Sequence, residues 1–326
     1  MVIVVMGSVF CVRGEMTAGE FIAFISYNGM LTWPVRSLGR MVSEMSKAGV
    51  SVDRLCYIMN SEVEKDKENA VTPDMRGDIV FDHVTFGYGD VPVLKDVSFQ
   101  IPKGTTFGIL GSTGSGKSTL MYLLNRLYDL PEENGKITVG GVDVADMKGD
   151  WVRSNIGMVL QEPFLFSRTI AENIGITKKE ITLSEIREAA AIACVDGSIS
   201  EFTLGYDTIV GERGVTLSGG QKQRTAIARM LTQRTPIMIF DDSLSAVDAE
   251  TDAKIRQALH KNLGDSTVIL IAHRVTTLMH ADCIMVLDKG EIAEIGSHEK
   301  LMEKGGIYRK IYDMQMSIAE EGENHE

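Results

Sequence analysis

Apolar and polar positions give the N-terminal part of the chain a simple pattern. Val2–Val12 is an almost unbroken apolar run, and a second run covers Ala18–Val35 after the polar turn Arg13–Thr17. The first run is shorter than the roughly 20 residues that a bilayer span needs, so it is predicted to be the end of a longer span. The second is predicted to be one complete span. Its polar residues Glu20 and Asn28 are expected to face a cavity or a partner helix, and they specify no transported substrate.

Charges around these runs orient the predicted hairpin. Four basic residues follow the second run: Arg36, Arg40, Lys47 and Arg54. They place that end of the span in the cytoplasm by the positive-inside rule. A signal peptide is disfavoured because no positive charge precedes the first run and no small-residue cleavage site follows it. The alternative is one buried helix of a soluble protein over residues 18–59, but two apolar runs around a tight turn favour a membrane hairpin.

The pattern changes again after residue 60. Residues 1–60 are therefore assigned to a transmembrane segment, and residues 61–76, which are charged and poor in apolar side chains, to a linker. Over residues 77–316, short β-rich runs alternate with helical segments, which predicts an α/β domain with parallel strands. Residues 317–326 are rich in glutamate and are predicted to be a disordered tail. The strand candidates are Thr106–Leu110, Ile156–Leu160, Ile237–Phe240 and Thr267–Ile271.

Composition narrows the class of protein. The chain has 326 residues, of which 44% are hydrophobic and 24% charged, so it can build a sizeable core. Its net charge of −12 argues against nucleic acid as a partner, because there is no basic surplus to neutralise phosphates. The four cysteines form no CxxC pair, which argues against a zinc site or a disulfide framework.

A glycine-rich loop stands between a strand candidate and a predicted helix. It follows Thr106–Leu110 and leads into the helix that begins near Thr119. This is the context that a phosphate-binding P-loop requires, because glycines let backbone N–H groups surround phosphate oxygens at a helix N-terminus. Lys117 is expected to reach the β and γ phosphates, and Ser118 to ligate Mg²⁺. A glycine-rich surface turn is the alternative. The loop consists of Gly111, Ser112, Thr113, Gly114, Ser115, Gly116, Lys117 and Ser118.

A second strand candidate ends in a carboxylate. Ile237–Phe240 is followed by Asp241, and P-loop proteins place their other Mg²⁺ contact at the C-terminal end of such a strand. This signal is weak alone and strong beside a P-loop. The combination predicts ATP and Mg²⁺ as cofactors, with Ser118 and Asp241 at the metal.

The segment Leu217-Ser218-Gly219-Gly220-Gln221 resembles the signature of ABC transporter ATPases. A serine and two glycines at the start of a helix offer an anion a hydroxyl, free N–H groups and the helix dipole. The resemblance implies that Ser218, Gly219, Gly220 and Gln221 act in trans, covering the γ-phosphate on a partner's P-loop. It also implies an ATP-sandwich dimer with a second half-transporter subunit.

Further segments resemble elements of the same family in the same order. By this resemblance Tyr88 stacks on adenine, and Gln161 meets Mg²⁺ and senses the membrane domain. Residues 210–214 match the exporter segment that lies against the coupling helices, and Asp248 belongs to the D-loop. His273 matches the switch histidine that contacts the γ-phosphate. The implied fold is an ABC-type P-loop ATPase after a transmembrane segment, in an integral membrane protein in contact with lipid.

Two departures from the family pattern refine this prediction. Exporters of the multidrug, lipid or peptide type have six spans per subunit, so the chain is expected to be a fragment or a split gene product. The residue after Asp241 should be the glutamate that polarises the attacking water, but it is Asp242, which is one methylene shorter. A positioned base contributes about 10²–10⁴ in rate. Asp242 therefore predicts a degenerate catalytic site in a heterodimeric exporter.

Three alternatives remain open at this stage. The chain could form a homodimeric exporter with Asp242 as a working base. It could be a soluble ABC ATPase, although the apolar hairpin and the segment at residues 210–214 argue against this. It could also be a non-functional remnant, since a subunit with few spans cannot build a pore.

Overall fold

The computed structural model describes residues 1–211, 216–243, 251, 253–255 and 266–323, with only the backbone for residues 318–323. The chain divides into two units, Met1–Lys65 and Asp66–Glu326. This boundary separates the apolar N-terminal segment from the predicted ATPase domain.

The first unit is a helical hairpin of α1 (Val2–Val12) and α2 (Ala18–Met59). The Thr17 hydroxyl accepts a hydrogen bond from the Glu20 N–H, and the Glu20 carboxylate accepts one from the Thr17 N–H. This capping box satisfies two donors at the start of α2. Glu20, expected to face a cavity or partner, therefore has a structural role at the turn. Gly7 is buried against the Phe21 ring, where a Cβ would lie 2.3 Å from Phe21 Cε2.

The second helix is longer than the predicted span. It continues through Pro34 to Met59 as one helix of 42 residues, which is the length of the alternative that the sequence left open. None of its residues is buried, so it is not the buried helix that this alternative required. Within the part of the chain that the structure describes, no helix is long and apolar enough to cross a membrane, and this includes α2 with the span predicted over Ala18–Val35.

The predicted linker at residues 61–76 is shorter in the structure, because residues 66–76 belong to the second unit. The Asp66 carboxylate accepts hydrogen bonds from the Gly149 N–H (2.9 Å) and from the Arg126 guanidinium (3.1 Å). Met75 is fully buried. The charged residues of this stretch form ion pairs on the domain surface, and Met75 anchors it to the apolar core. Composition alone does not distinguish such a segment from a free linker.

A four-stranded antiparallel sheet opens the second unit. Its order is β2-β1-β4-β5, formed by β1 (Ile79–Tyr88), β2 (Val91–Ile101), β4 (Lys136–Val139) and β5 (Val142–Asp143). The sequence predicted only parallel strands for this domain. A two-residue turn joins β1 to β2, and a hairpin of this kind is antiparallel by construction.

The central sheet carries the predicted strands. Its order is β10-β9-β3-β8-β7-β6, parallel except for β10. The structure confirms all four strand candidates. The strands are β3 (Thr106–Leu110), β6 (Ile156–Val159), β7 (Ile237–Asp241), β8 (Thr267–Ala272), β9 (Cys283–Asp288) and β10 (Glu291–Gly296).

Two apolar cores surround this sheet. One lies between the two sheets and includes Phe81, Phe99 and Phe107, whose rings stack in sequence at 4.5 and 5.5 Å. The other lies under the helices and includes Phe240 and Tyr308. Each fully buried large apolar side chain contributes about 1.5–3 kcal/mol. The cores hold β3, β7 and β8 in register, which fixes the loops that follow them.

The helices of the second unit cover the central sheet. Their bounds are α3 (Lys117–Leu124), α4 (Gly149–Asn155), α5 (Ile170–Gly175), α6 (Leu183–Ile192), α7 (Asp196–Ser200), α8 (Gly219–Leu231), α9 (Val275–Leu278), α10 (His298–Lys304) and α11 (Ile307–Glu323). The tail predicted over residues 317–326 is helical as far as Glu323. Alanine and glutamate both have high helix propensity, so the acidic composition is compatible with a continued helix.

Candidate functional site

Register in the central sheet brings the chemistry to one edge. Leu110 pairs with Ala272, and Asp241 pairs with Ile271, so β3, β7 and β8 end side by side. The loops after the carboxyl ends of parallel strands are where α/β proteins bind ligands. The glycine-rich loop, the two aspartates and His273 therefore meet at this edge.

The glycine-rich loop needs its glycines for backbone geometry. Gly116 has φ +103°, in the left-handed region that favours glycine, and it directly precedes α3. A Cβ at Gly111 would lie 2.4 Å from the Leu287 carbonyl oxygen. Ser115 is buried, and among the described residues its hydroxyl has no hydrogen-bond partner. Buried polar groups are normally hydrogen-bonded, so this hydroxyl is available to donate to an oxygen of a ligand. The loop therefore fits a bound phosphate.

Lys117 lies in the first turn of α3 and is only 6% exposed. Its ammonium donates hydrogen bonds to the carbonyl oxygens of Gly111 and Ser112, both at 2.8 Å. Burial lowers the pKa of this amine, because the charged form is poorly solvated, while Asp241 and Asp242 oppose the shift. The loop thus folds around a cation, which is the charge that a phosphate group requires.

Ser118 and Asp241 form the predicted metal pair. The Ser118 hydroxyl donates a hydrogen bond of 2.8 Å to the Asp241 carboxylate, which is 7% exposed. Burial raises the pKa of Asp241, and the Ser118 hydroxyl and Lys117 counteract it. His273 directly follows β8, whose end pairs with the end of β7, the strand that carries Asp241.

These oxygens fit Mg²⁺. This ion is usually bound by one or two carboxylates together with substrate phosphates and water. No cluster of three or more His, Cys, Asp or Glu suited to a metal occurs in the described ranges, so a cage made by the protein alone is not found there. One carboxylate and one hydroxyl beside a P-loop match the Mg²⁺ requirement.

Asp242 occupies an unusual backbone position. Its φ is +47°, and its N–H donates to the Ile271 carbonyl oxygen at 2.8 Å. The side chain is 8% exposed, and the Gln161 amide donates to its carboxylate at 3.4 Å. The structure therefore brings Gln161 and Asp242 together, 81 residues apart in sequence. The carboxylate at this position belongs to an aspartate, which is one methylene shorter than the glutamate of the family pattern.

Tyr88 stands at the entrance to the P-loop helix. It is 41% exposed, and its hydroxyl lies 3.3 Å from the Thr119 hydroxyl. Its ring packs edge-on against Tyr128, with centroids 5.1 Å apart. Tyr88 stays a predicted adenine contact, and its packing against Tyr128 was not predicted, because an aromatic residue 40 positions away carries no local signal of this contact.

The signature residues form the start of α8. The Ser218 hydroxyl accepts a hydrogen bond from the Gln221 N–H (3.2 Å), and the Gln221 amide accepts one from the Ser218 N–H (2.9 Å). Gly219 and Gly220 begin the helix between them. No hydrogen bond among the described residues joins this motif to the P-loop. Asp248 and residues 212–214 of the exporter segment lie outside the described residues.

Replacing Asp241 by asparagine is expected to stabilise the ligand-free ATPase domain at neutral pH. The native carboxyl binds its proton more tightly than the unfolded chain does, so its ionisation costs stability as pH rises above the ordinary Asp range. Asparagine avoids this cost and keeps an oxygen for Ser118. The unfolding temperature at about pH 7.5 should rise by about 2–4 °C, as about 1 kcal/mol produces in a domain of this size. The difference should shrink toward pH 4. A less stable variant at pH 7.5 would mean that attraction to Lys117 outweighs burial.

Comparison with known proteins agrees with this geometry. Residues 94–245 match the family described as ABC transporter, a range that runs from β2 past Asp241. A probable multidrug resistance ABC transporter ATP-binding/permease protein of Bacillus subtilis, YheI, is 41% identical over 320 residues, 97% of this chain and 54% of that protein. The leukotoxin translocation ATP-binding protein LktB of Mannheimia glucosida is 40% identical over 315 residues, 96% of this chain and 44% of that protein.

A solved structure extends the match to three dimensions. The structure of a bacterial Atm1-family ABC exporter with ATP bound superposes with a TM-score of 0.77 at 35% identity, covering 93% of this chain and 53% of that one. The chain spans about half the length of the relatives it matches. From this match, and from the P-loop, aspartate pair and signature helix that lie within it, residues 94–245 form an ABC transporter domain.

Proposed function

We propose that this chain is the ATP-binding and ATP-hydrolysing subunit of a membrane exporter, in which it works with a second ABC subunit. The observation that carries this proposal is the meeting of Lys117, Ser118 and Asp241 at one edge of the sheet, with Ser118 and Asp241 2.8 Å apart. Lys117 would neutralise the β and γ phosphates of ATP, and Ser118 and Asp241 would hold Mg²⁺, which would balance phosphate charge.

The signature helix supports an ATP sandwich. Ser218 and Gln221 already satisfy each other, which leaves the N–H groups of Gly219 and Gly220 at the positive end of α8. Among the described residues, a Cβ at Gly219 would meet no heavy atom within 4 Å, which supports an approach by an anion to this end of the helix. We propose that it covers the γ-phosphate on a partner's P-loop, with Asp248 at the same interface.

The aspartate at position 242 supports a heterodimer with one slow site. General-base catalysis needs a carboxylate within about 2.6–3.2 Å of the proton, directly or through one water. Asp242 is shorter than glutamate, and the Gln161 amide lies beside its carboxylate. In this proposal Gln161 helps to hold Mg²⁺ and His273 contacts the γ-phosphate, so ATP binds tightly here. Hydrolysis would occur mainly at the partner's site.

We also propose that the chain is an integral membrane protein with its ATPase domain in the cytoplasm. The support is that similar Bacillus subtilis proteins are described as permease and export proteins, together with the exposed apolar side chains of α1 and α2. Exposed apolar patches of this kind mark contact with lipid or another protein. Fractionation of cells expressing the chain tests this. Recovery in the soluble fraction, resistant to sedimentation, would contradict the membrane assignment.

The nucleotide assignment predicts separate effects for two substitutions of Tyr88. Tyr88→Ala removes a half-exposed ring from the mouth of the P-loop and should weaken ATP binding by about 5–100-fold, the range that base stacking supplies. Tyr88→Phe keeps the ring and loses only the 3.3 Å contact with Thr119, so its affinity should change by less than about threefold. Titration of the full chain with a fluorescent ATP analogue measures both. Equal affinities for wild type and Tyr88→Ala would remove Tyr88 from the site.

A further inference from the structure

The last helix reaches back to the switch histidine through one side chain. Gln315 of α11 donates a hydrogen bond from its amide nitrogen to the His273 carbonyl oxygen at 2.7 Å. Its amide oxygen accepts one from the Val275 N–H at 2.8 Å. One primary amide thus satisfies both an acceptor and a donor, two residues apart, in the turn between β8 and α9. A primary amide carries its donor and its acceptor on two separate atoms, and glutamine reaches further than asparagine.

The helix that carries Gln315 is anchored at its other end. The Glu294 carboxylate on β10 is buried and accepts hydrogen bonds from the N–H groups of Ile307 (2.7 Å) and Tyr308 (3.1 Å). A carboxylate is favoured at a helix N-terminus because the helix dipole is positive there. Tyr308 is fully buried, and its hydroxyl lies 2.7 Å from His298 Nδ1. Gln315 follows Ile307 by about 12 Å along the helix axis.

His273 lies in the short turn between β8 and α9. It follows directly on β8, and the four-residue helix α9 begins two residues later. The turn gains its long-range hydrogen bonds from Gln315, which is 42 residues further along the chain. The two hydrogen bonds from Gln315 hold the backbone on both sides of Arg274, at the His273 carbonyl and at the Val275 N–H. The direction of the His273 side chain follows from the position of this backbone.

We propose that Gln315 is a positioning residue, which holds His273 in the orientation needed to contact the terminal phosphate of ATP. This inference rests on the proposed function, since the phosphate contact of His273 is itself part of that proposal. Gln315 would not touch the nucleotide. Its effect is therefore expected only on ligands that carry a γ-phosphate.

The test compares binding of ADP and of a non-hydrolysable ATP analogue to the full chain, in the presence of Mg²⁺. Gln315→Ala should reduce the preference for the analogue over ADP by about tenfold, which is the scale of one charge-assisted hydrogen bond, and should leave ADP affinity unchanged. Gln315→Glu is close in size to glutamine and keeps an acceptor for the Val275 N–H, but it loses the donor to His273. It should reduce the preference in the same direction. Met314→Ala changes the exposed neighbour on the same helix and should behave as wild type.

Two further measurements separate positioning from a general structural role. In a His273→Ala background, Gln315→Ala should cause no additional loss of preference, because the residue it orients is absent. Amide exchange at Val275 should accelerate about fivefold or more in Gln315→Ala and stay near wild type in Gln315→Glu.

Three results would overturn the proposal or its basis. Equal loss of ADP and analogue affinity in Gln315→Glu would show a structural role alone. A wild-type preference in Gln315→Ala, together with faster exchange at Val275, would show that the contact exists but does not orient His273. If His273→Ala itself kept the full preference, the assigned role of His273 would fail, and that failure belongs to the proposed function.

Discussion

Replacing Lys117 by alanine should reduce ATP affinity by about 100-fold or more and abolish hydrolysis. The substitution removes a cation that is 6% exposed and surrounded by backbone groups of the P-loop. Charge-assisted hydrogen bonds are roughly twice as strong as neutral ones, and each bond to a charged group contributes about 1.5–3 kcal/mol. Loss of two such bonds to phosphate accounts for the expected change. Titration of the full chain with a fluorescent ATP analogue measures it.

The matched control is Lys103→Ala, an exposed lysine that precedes the same strand, β3. It removes the same charge from the domain without touching the loop, so affinity should stay within about twofold of wild type, apart from screened long-range effects. The Lys117 ammonium also holds the carbonyls of Gly111 and Ser112, so the unfolding temperature of both variants is recorded. A folded Lys117→Ala variant with wild-type affinity would refute the P-loop assignment.

Replacing Asp242 by glutamate should raise single-turnover hydrolysis at this chain's own site by about 10²–10⁴-fold, with ATP affinity unchanged. Binding depends on Lys117, Ser118 and Asp241, which the substitution leaves in place. The added methylene extends the carboxylate toward the attacking water, so it acts on the chemical step and not on the ground state. The assay uses the assembled dimer with the partner's own base substituted, so that only this site reports.

Asp242→Asn is the matched control for this experiment. It is close in size and removes only the negative charge from a side chain that is 8% exposed. If Asp242 is a poor base, hydrolysis in this variant should stay within about threefold of wild type. A fall of about 10²–10⁴-fold would show that the aspartate already works as the base. In that case the degenerate-site interpretation is wrong and a homodimer becomes the better proposal.

Local patterns in the sequence predicted the elements that carry the chemistry. The strand Thr106–Leu110 was predicted with its observed bounds, because a short apolar run next to a glycine-rich loop has few alternative structures. The parallel register of β3, β7 and β8 was not specified by any one strand. It follows from crossover connections and from the core, and it is what joins the loop to Asp241 and His273.

Long-range contacts were beyond the sequence. Gln315 touches the His273 turn across 42 residues, and Tyr128 packs on Tyr88 across 40. Glutamine and tyrosine at these positions have no periodic or motif context that distinguishes them from ordinary helix or loop residues. The antiparallel sheet was not predicted, because the alternation of β-rich runs with helical segments was taken to indicate parallel strands throughout the domain.

Segment boundaries were predicted less well than segment types. Composition placed residues 66–76 in a linker and residues 317–323 in a tail, whereas the first packs on the ATPase unit and the second continues α11. Both stretches are rich in charge, and charge density does not distinguish a free segment from one held by ion pairs or helix geometry.

The attachment of residues 66–76 determines where an independent ATPase domain begins. A polypeptide cut at Gly77 would keep Arg126, whose side chain is 6% exposed, but lose the Asp66 carboxylate that faces it. Arg126 would keep the Asp129 carboxylate and the Met147 carbonyl oxygen, but a buried cation that loses one charge partner destabilises the folded domain. The same cut would remove the Pro73 carbonyl that accepts a hydrogen bond from Trp151 at 2.9 Å. The second unit starts at Asp66, eleven residues before the first strand-rich pattern, and a recombinant ATPase domain should therefore include these residues.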